Sequence, residues 1–291
     1  MWAKSGDSSF STRSASGYLL QIYGQILCKG IGVNFMGHIE QYLLDKIHQK
    51  GSIHLTLIDP EEMTSPKIVD VVKYLEAAGT AAIMVGGSTV ADISQLDDVV
   101  KMIKDNVRIP VILFPNNLTG ISKFADAIWF MSLLNSNNPY FITGVQALGA
   151  PLIKRYKMES IPLGYIIVGE GSTAAYIGQA HAIPPDKSEV VASYALAAQY
   201  LGMRFVYLEA GSGSKKPVSP VMVAMVKKNL EIPLIVGGGI RTQTDAKAVV
   251  EAGADIVVTG NLLEGDSVSG KRIDGILASI RDAGKKRIKR E

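Results

Sequence analysis

Two kinds of segment alternate along the chain from residue 36 onward. Short apolar runs, rich in Val and Ile, are separated by longer segments in which apolar and polar residues recur with a helical spacing. The short runs indicate buried β-strands and the longer segments indicate amphipathic helices. The predicted strands are residues 53–59, 81–87, 109–115, 127–133, 163–169, 204–210, 233–239 and 255–261. The predicted helices are residues 66–77, 89–105, 139–157, 187–201, 218–229, 243–252 and 271–283.

This alternation of strands and helices is typical of a parallel sheet with crossover helices. Eight strands predict a (β/α)8 TIM barrel, and a doubly wound open sheet is the alternative. Only the stretch FPNNLTGISKFADA (114–127) joins the third and fourth predicted strands. Because this stretch is short for a full crossover helix, we expect helix three to be missing or replaced by an extended segment. A groove would then open along that side of the barrel.

The first 35 residues differ in composition from the rest of the chain. They are rich in Ser, Gly, Lys and Arg up to Gly17, and a broken apolar stretch that contains Cys28 follows. A poor signal sequence and a lipid attachment at Cys28 are two readings. The third reading, which we adopt, is a disordered extension, because Met36 opens a convincing amphipathic helix. We therefore predict an N-terminal extension at residues 1–35 and one barrel domain at residues 36–291.

Composition is that of an ordinary globular protein, with 47% hydrophobic residues, 20% charged residues and a net charge of +3. The chain shows no basic stripe with interleaved aromatic residues, so we do not expect a nucleic-acid partner. Cys28 is the single cysteine, which excludes an intrachain disulfide and fits the cytoplasm. The basic end at 285–290 is a solvated helix end or a peripheral contact with anionic lipid. The Ala-rich helix 187–201 is a candidate interface of a homo-oligomer, or else a helix packed on the barrel.

Three glycine-rich turns follow the last three predicted strands. They read EAGSGS after the sixth strand, VGGGIRT after the seventh and TGNLL after the eighth. In (β/α)8 barrels the loops after strands seven and eight often bind phosphate, since glycine lets backbone amides approach an oxyanion. The turns therefore favour a phosphate site, and tight turns with close packing are the alternative.

Candidate chemical groups stand at the carboxyl ends of strands. Asp59 ends the first strand, where it could hold Mg²⁺ or serve only as a turn residue. Ser88 follows the second strand and could lend a hydroxyl oxygen, although a helix N-cap is the stronger reading. Phe205, Tyr207 and Glu209 share one face of the sixth strand, because side chains alternate along a strand.

If that face points into the barrel, Glu209 lies at its rim and Tyr207 one layer below. A carboxylate there could take a proton from a substrate hydroxyl, and Tyr207 could orient that substrate. The alternative is a core tyrosine with Glu209 paired to Lys215 or Lys216.

Three further residues suit structural roles better than catalytic ones. His54 lies near the start of the first strand, at the wrong end of the barrel for catalysis, and is expected to be structural. His181 lies in a loop, where it could touch a ligand but is expected simply to be exposed, and Trp129 is expected in the core.

Five motifs occur in a specific order along residues 36–284. They are HLTLIDP at 54–60, VGGST at 85–89, YLEAGSG at 207–213, VGGGIR at 236–241 and TGN at 259–261. Together they resemble the geranylgeranylglyceryl phosphate synthase family, including its bacterial heptaprenyl relatives. The resemblance implies a (β/α)8-barrel prenyltransferase that joins sn-glycerol 1-phosphate to geranylgeranyl diphosphate with Mg²⁺, the first ether bond of archaeal membrane lipids.

The same resemblance assigns roles to individual residues. It implies that Asp59 and Ser88 bind Mg²⁺, that Glu209 is the general base, and that the prenyl tail lies in the groove left by a missing third helix. Glu61 and Glu62 stand where the family often has Asp-Lys, so this loop offers the diphosphate no cation. The residues implied to hold glycerol 1-phosphate are Tyr207, Leu208, Glu209, Ala210, Gly211, Ser212, Gly213, Gly238, Gly239, Gly260 and Asn261.

Alternatives to this function stay open at the level of sequence. A phosphate-handling lyase or isomerase barrel would share the glycine turns without needing an apolar groove, and a ligand-binding barrel could lack turnover altogether. The same reaction with another prenyl chain length is a further alternative. Chain length would depend on the bulky side chain that blocks the groove, for which Trp129 or a tyrosine is a candidate.

Overall fold

Eight parallel strands close into a barrel in the order of the sequence. The computed structural model describes residues 36–61, 65–87, 93–169, 171–211, 213–260 and 269–289. The strands are β1 (Ile53–Ile58), β2 (Ala82–Val85), β3 (Val111–Leu113), β4 (Ala127–Leu133), β5 (Glu159–Ile167), β6 (Phe205–Glu209), β7 (Leu234–Gly237) and β8 (Ile256–Thr259). β8 pairs with β1, which closes the barrel and confirms the (β/α)8 prediction over the open sheet. The predicted extension at 1–35 lies outside the described residues and stays a prediction.

Helices surround the barrel as the crossover pattern requires. The α-helices are α1 (His38–Lys50), α2 (Ser65–Ala78), α3 (Ile93–Asn106), α4 (Val145–Tyr156), α5 (Thr173–Ile177), α6 (Ser188–Tyr200), α7 (Pro220–Lys228), α8 (Gln243–Glu251) and α9 (Ser269–Ile288). α1 precedes the first strand, and its Leu43 is fully buried in the cluster that fills the barrel interior. The Glu159 carboxylate accepts hydrogen bonds from the Ile39 and Glu40 amides, so a negative charge stabilises the N-terminus of α1.

The connection between β3 and β4 lacks an α-helix, as predicted. It contains only a three-residue 3-10 helix, Leu118–Gly120, whose N-terminus is capped by the Asn117 side chain. The capping oxygen accepts a hydrogen bond from the Thr119 amide at 2.8 Å. The outer wall of the barrel is therefore thin between β3 and β4, and this gap shapes the site described below.

Most elements differ from the sequence-based boundaries by a few residues, and α5 was not predicted; two differences have a local reason. β5 begins at Glu159 rather than at 163, and it includes Pro162. The Pro162 carbonyl accepts a hydrogen bond from the Arg204 amide, which shows that this peptide edge faces β6. Pairing between β5 and β6 begins only at Leu163, so the N–H that proline lacks removes no hydrogen bond between the two strands. The predicted helix 139–157 is split into a π-helical turn, Tyr140–Gly144, and α4.

Candidate active site

A cavity of about 370 Å³ opens at the carboxyl ends of the strands and continues into the gap between β3 and β4. Asp59, Tyr165 and Glu209 line its end at the barrel mouth. The part under the gap is lined by apolar residues of the 3-10 helix, β4 and α4, namely Leu118, Ile121, Ile128, Phe130, Val145, Gly149 and Ile153. The groove expected from the short β3–β4 connection is therefore present, and it joins a polar end to an apolar one.

Glu209 is a buried carboxylate at the end of β6. Phe205, Tyr207 and Glu209 all face the barrel interior, as the alternation along the strand predicted, and Glu209 is only 7% exposed. One carboxylate oxygen accepts a hydrogen bond of 2.6 Å from the Gly211 amide. Burial raises the pKa of Glu209 above its ordinary value, and hydrogen bonds from Gly211 and Tyr207 partly oppose this shift. Among the described residues no ion pair joins Glu209 to Lys215 or Lys216.

Tyr207 lies one layer deeper in the barrel and is fully enclosed. Its ring centroid is 5.4 Å from that of Tyr165 and 5.5 Å from that of Phe114. Burial, followed by the nearby Glu209 charge, raises the pKa of Tyr207 well above its ordinary range. The phenol therefore stays protonated and donates a hydrogen bond to Glu209. A Cβ on Gly237 would overlap the Tyr207 hydroxyl, so glycine is needed at that position.

The glycine turns adopt the backbone conformations that favour glycine. Gly211, Gly213, Gly238 and Gly239 all have positive φ angles, from 70° to 106°. A Cβ on Gly238 would overlap a carboxylate oxygen of Glu209, so the turns after β6 and β7 meet at this carboxylate. No described residue lies within 4 Å of the position a Cβ would take on Gly260. The turns thus bring backbone amides to the barrel mouth, where an oxyanion could approach them.

The other residues predicted to hold glycerol phosphate either turn their side chains away from the cavity or lie outside the described residues. The side chains of Leu208 and Ala210 pack outward against the helices, so only their backbone could face a ligand in the barrel. Ser212 and Asn261 lie outside the described residues, as does Ser88. Direct contact of any of these residues with a ligand stays a prediction.

Asp59 occupies a position that suits a metal ligand. It follows β1, is half-buried and lines the same cavity as Glu209. One carboxylate oxygen accepts a hydrogen bond of 3.0 Å from the Glu61 amide, and the other packs so closely on Gly87 that a Cβ there would overlap it. The described residues contain no cluster of three or more metal-binding side chains. One carboxylate completed by substrate oxygens is nevertheless an ordinary way to hold Mg²⁺, so Asp59 fits that ion.

The remaining sequence predictions on single residues are confirmed. His54 is buried, with both ring nitrogens hydrogen-bonded to threonines, and burial lowers its pKa to about 3. His181 is exposed in the loop before α6. Trp129 is fully buried in the barrel interior, 5.2 Å from the Phe205 ring, and it also borders the cavity.

Several residues of the cavity were not foreseen from the sequence. Tyr165 faces inward from β5, and burial together with the Glu209 charge raises its pKa well above the ordinary range. Gln146 lines the groove and donates hydrogen bonds to the carbonyls of Met131 and Phe141. A fourth glycine turn, GEGST after β5, places Ser172 against Gly211. Alternation along LGYIIVG could have found Tyr165, and the glycine spacing after β5 could have found the turn; nothing in the sequence singles out Gln146.

The fold and the cavity together define a (β/α)8-barrel protein with a glycine-lined mouth suited to a phosphate group and an apolar side groove. The chain belongs to the PcrB family, whose model matches residues 45–280. Within the described residues, no helix is long and apolar enough to cross a membrane.

Similar proteins carry one recurrent description. The geranylgeranylglyceryl phosphate synthase of Pyrococcus furiosus is 55% identical over 230 residues, covering 79% of this chain and 91% of the relative. That of Thermofilum pendens is 49% identical over 251 residues, covering 86% and 98%. The crystal structure of (S)-3-O-geranylgeranylglyceryl phosphate synthase from Thermoplasma acidophilum, in complex with sn-glycerol-1-phosphate, matches with a TM-score of 0.80 at 43% identity, covering 85% of this chain and 99% of that one. The family resemblance inferred from the motifs is confirmed.

Proposed function

We propose that this chain is a prenyltransferase that joins sn-glycerol 1-phosphate to geranylgeranyl diphosphate through an ether bond. The product is 3-O-geranylgeranylglyceryl phosphate. One observation carries the proposal: the cavity connects a polar end, with Asp59 and Glu209, to an apolar groove beneath the missing helix. A small charged acceptor and a long apolar donor need two such environments to meet at one point.

The acceptor phosphate is proposed to lie against the glycine turns. Gly211, Gly238 and Gly239 have positive φ angles, and no described residue lies within 4 Å of the position a Cβ would take on Gly260. Such turns let an oxyanion approach backbone amides, and the turns after β7 and β8 are the usual phosphate site of this fold. The Thermoplasma acidophilum relative in complex with sn-glycerol-1-phosphate supports this acceptor. We propose Ser212 and Asn261, outside the described residues, as further contacts.

Glu209 is proposed as the general base. Burial raises its pKa, which makes the carboxylate a stronger proton acceptor than an exposed one. It takes the proton from the acceptor hydroxyl, whose oxygen forms a bond to the first prenyl carbon. The bond from that carbon to the diphosphate oxygen breaks, and its electron pair leaves with the diphosphate. Tyr207 keeps its own proton and holds the carboxylate in place by a hydrogen bond.

Mg²⁺ is proposed to be held by Asp59 together with Ser88. When bound, the ion would neutralise negative charge on the diphosphate leaving group. Asp59 borders the cavity at its polar end, which supports this assignment. Glu61 is exposed beside it, so the loop after β1 adds acidic rather than basic character.

The prenyl tail is proposed to occupy the groove between β3, β4 and α4. Its lining is mostly apolar, and Gln146, Asn116 and Asn117 are its polar members. The Gln146 amide is turned toward backbone carbonyls. Burial of a long hydrocarbon in such a groove contributes roughly 0.8 kcal/mol per CH₂ group. Trp129 closes part of the cavity wall and stays our candidate for the side chain that limits chain length. Cytoplasmic location, a peripheral membrane contact and homo-oligomerisation also stay predictions.

An activity assay tests the proposed function directly. The purified chain is incubated with Mg²⁺, geranylgeranyl diphosphate and either sn-glycerol 1-phosphate or sn-glycerol 3-phosphate, and the lipid product is extracted and identified by mass. We expect product from the 1-phosphate alone. Absence of product from both acceptors in a folded sample, with longer and shorter prenyl diphosphates also tried, would contradict the proposal and favour a lyase or isomerase barrel.

A further inference from the structure

A row of buried polar side chains crosses three neighbouring strands on the outer face of the barrel. His54 and Thr56 lie on β1, Thr259 ends β8, and Thr80 lies two residues before the start of β2. The flanking residues Ile53 and Leu55 face the interior, so His54 points outward into the layer between sheet and helices. All four polar residues are at most 3% exposed.

The imidazole of His54 links the two threonines on either side of it. Its Nε2 is 2.8 Å from Thr259 Oγ1 and its Nδ1 is 3.0 Å from Thr80 Oγ1. A neutral ring has one donor and one acceptor nitrogen, so each threonine takes the complementary role. In addition, the Thr56 hydroxyl donates a hydrogen bond of 3.3 Å to the Thr259 carbonyl. Thr259 is therefore held from β1 through both its side chain and its backbone.

A polar network in this layer is uncommon, because most side chains between the strands and the helices are apolar. Val257 and Val236, on the same outer face, pack into a large hydrophobic cluster. Buried polar groups carry a desolvation penalty and stabilise one arrangement only when every member is satisfied. In this network both ring nitrogens and three threonine oxygens have partners. Such a network fixes the relative positions of β8, β1 and the start of β2.

Thr259 is the last residue before the glycine turn that follows β8. Among the described residues, nothing lies within 4 Å of the position a Cβ would take on Gly260, which leaves room for a ligand to approach its backbone. The turns after β6 and β7 each have a polar anchor near their base. Glu209 accepts a hydrogen bond from the Gly211 amide after β6. After β7, Asp245 accepts hydrogen bonds from the Arg241 and Thr242 amides. The bond between His54 and Thr259 is the corresponding anchor for the turn after β8.

We propose that His54 is a positioning residue for phosphate binding, which fixes the backbone at Gly260 through its hydrogen bond to Thr259. The inference rests on the proposed function, in which the turns after β7 and β8 hold the acceptor phosphate. His54 itself touches no substrate, since it lies on the outer face of the barrel. Its ring stays neutral at working pH, because burial lowers its pKa to about 3.

Two substitutions at His54 separate positioning from packing. The amide of glutamine places a polar atom near the position of Nε2, so His54→Gln keeps the contact with Thr259. The shorter asparagine reaches only the position of Nδ1, so His54→Asn keeps the contact with Thr80 and loses that with Thr259. We expect His54→Asn to raise both the Kd and the KM for sn-glycerol 1-phosphate by about tenfold. Its kcat and its Kd for geranylgeranyl diphosphate should stay within about twofold, and His54→Gln should resemble the wild type.

A second pair of variants decides the question even where His54→Asn does not fold. Thr80→Val and Thr259→Val each remove one hydrogen bond to the ring with almost no change in shape, and we expect only Thr259→Val to weaken acceptor binding. Calorimetry with sn-glycerol 1-phosphate measures the Kd, and thermal unfolding shows that both variants are folded. Equal acceptor affinity in the two variants, whether weakened or unchanged, would overturn the positioning role. A wild-type protein that binds no sn-glycerol 1-phosphate would instead overturn the proposed function, and this inference with it.

Discussion

Gly149 offers a direct test of the apolar groove. It lies on α4 beneath the missing helix, and a Cβ there would be 3.2 Å from Ile121 Cδ1 and 3.5 Å from Leu118 Cδ2. Gly149→Leu would therefore fill the groove at the thin part of the barrel wall. Its backbone is helical, so leucine suits the position and improves helix propensity by roughly 0.8–1 kcal/mol. The flexible end of Ile121 must shift by a few tenths of an ångström, and any overpacking would cost about 1–3 kcal/mol.

The expected effect on the donor follows from the volume that is lost. Leucine adds about four carbons to a cavity of about 370 Å³. If these carbons displace a similar number of prenyl carbons, at about 0.8 kcal/mol each, binding of geranylgeranyl diphosphate weakens by about 3 kcal/mol, or roughly a hundredfold. A shorter prenyl diphosphate should lose much less affinity, and the affinity for sn-glycerol 1-phosphate should not change.

Calorimetry and steady-state kinetics with prenyl diphosphates of two lengths provide the measurement. Ala150→Leu is the matched control, because it adds a leucine to the next residue of the same helix, on its exposed side. The control should bind geranylgeranyl diphosphate like the wild type. An unchanged Kd for this donor in folded Gly149→Leu would show that the prenyl chain does not occupy the groove.

Four further predictions concern the polar end of the cavity and its support. Glu209→Gln should lower kcat by about 10²–10⁴-fold while acceptor binding by calorimetry is retained, and retained turnover would contradict the base assignment. Gly237→Ala should lower the free energy of unfolding in urea by about 1–3 kcal/mol through overlap with the Tyr207 hydroxyl; Tyr207→Phe in the same chain should restore part of it, and strict additivity would count against this contact. Asp59→Asn should raise the Mg²⁺ concentration for half-maximal activity at least about tenfold, and an unchanged Mg²⁺ titration would remove Asp59 from the metal site. The unfolded chain binds a proton at His54 below about pH 6.5, whereas the folded chain does not until about pH 3. Acidification through this window should therefore lower the free energy of unfolding of the wild type, relative to His54→Gln, by up to about 1.4 kcal/mol per pH unit. Parallel plots of unfolding free energy against pH for the two proteins would contradict the buried neutral ring.

The polar end of the cavity could be predicted from the sequence only in part. Alternation placed Tyr207 and Glu209 on one face of a strand, and the structure confirms that this face points into the barrel. The sequence did not decide between a base and a salt-bridged surface carboxylate for Glu209. Its burial depends on Gly238 and Gly211, whose backbone fits against the carboxylate only after β6 and β7 have paired. The raised pKa is thus a property of the assembled barrel.

The amino-acid sequence was enough to predict eight strands, most of their crossover helices and the missing third helix, and it favoured a closed barrel over an open sheet. These follow from local physics: apolar periodicity, capping residues and a connection too short for a helix. Three contacts depend on the tertiary structure: Tyr165 lies beside Glu209, Gln146 faces the groove, and His54 holds the end of β8. The last of these joins residues 205 positions apart, and such a contact exists only once β8 closes against β1. No local pattern encodes these contacts, because they depend on the register between strands that are distant in the chain.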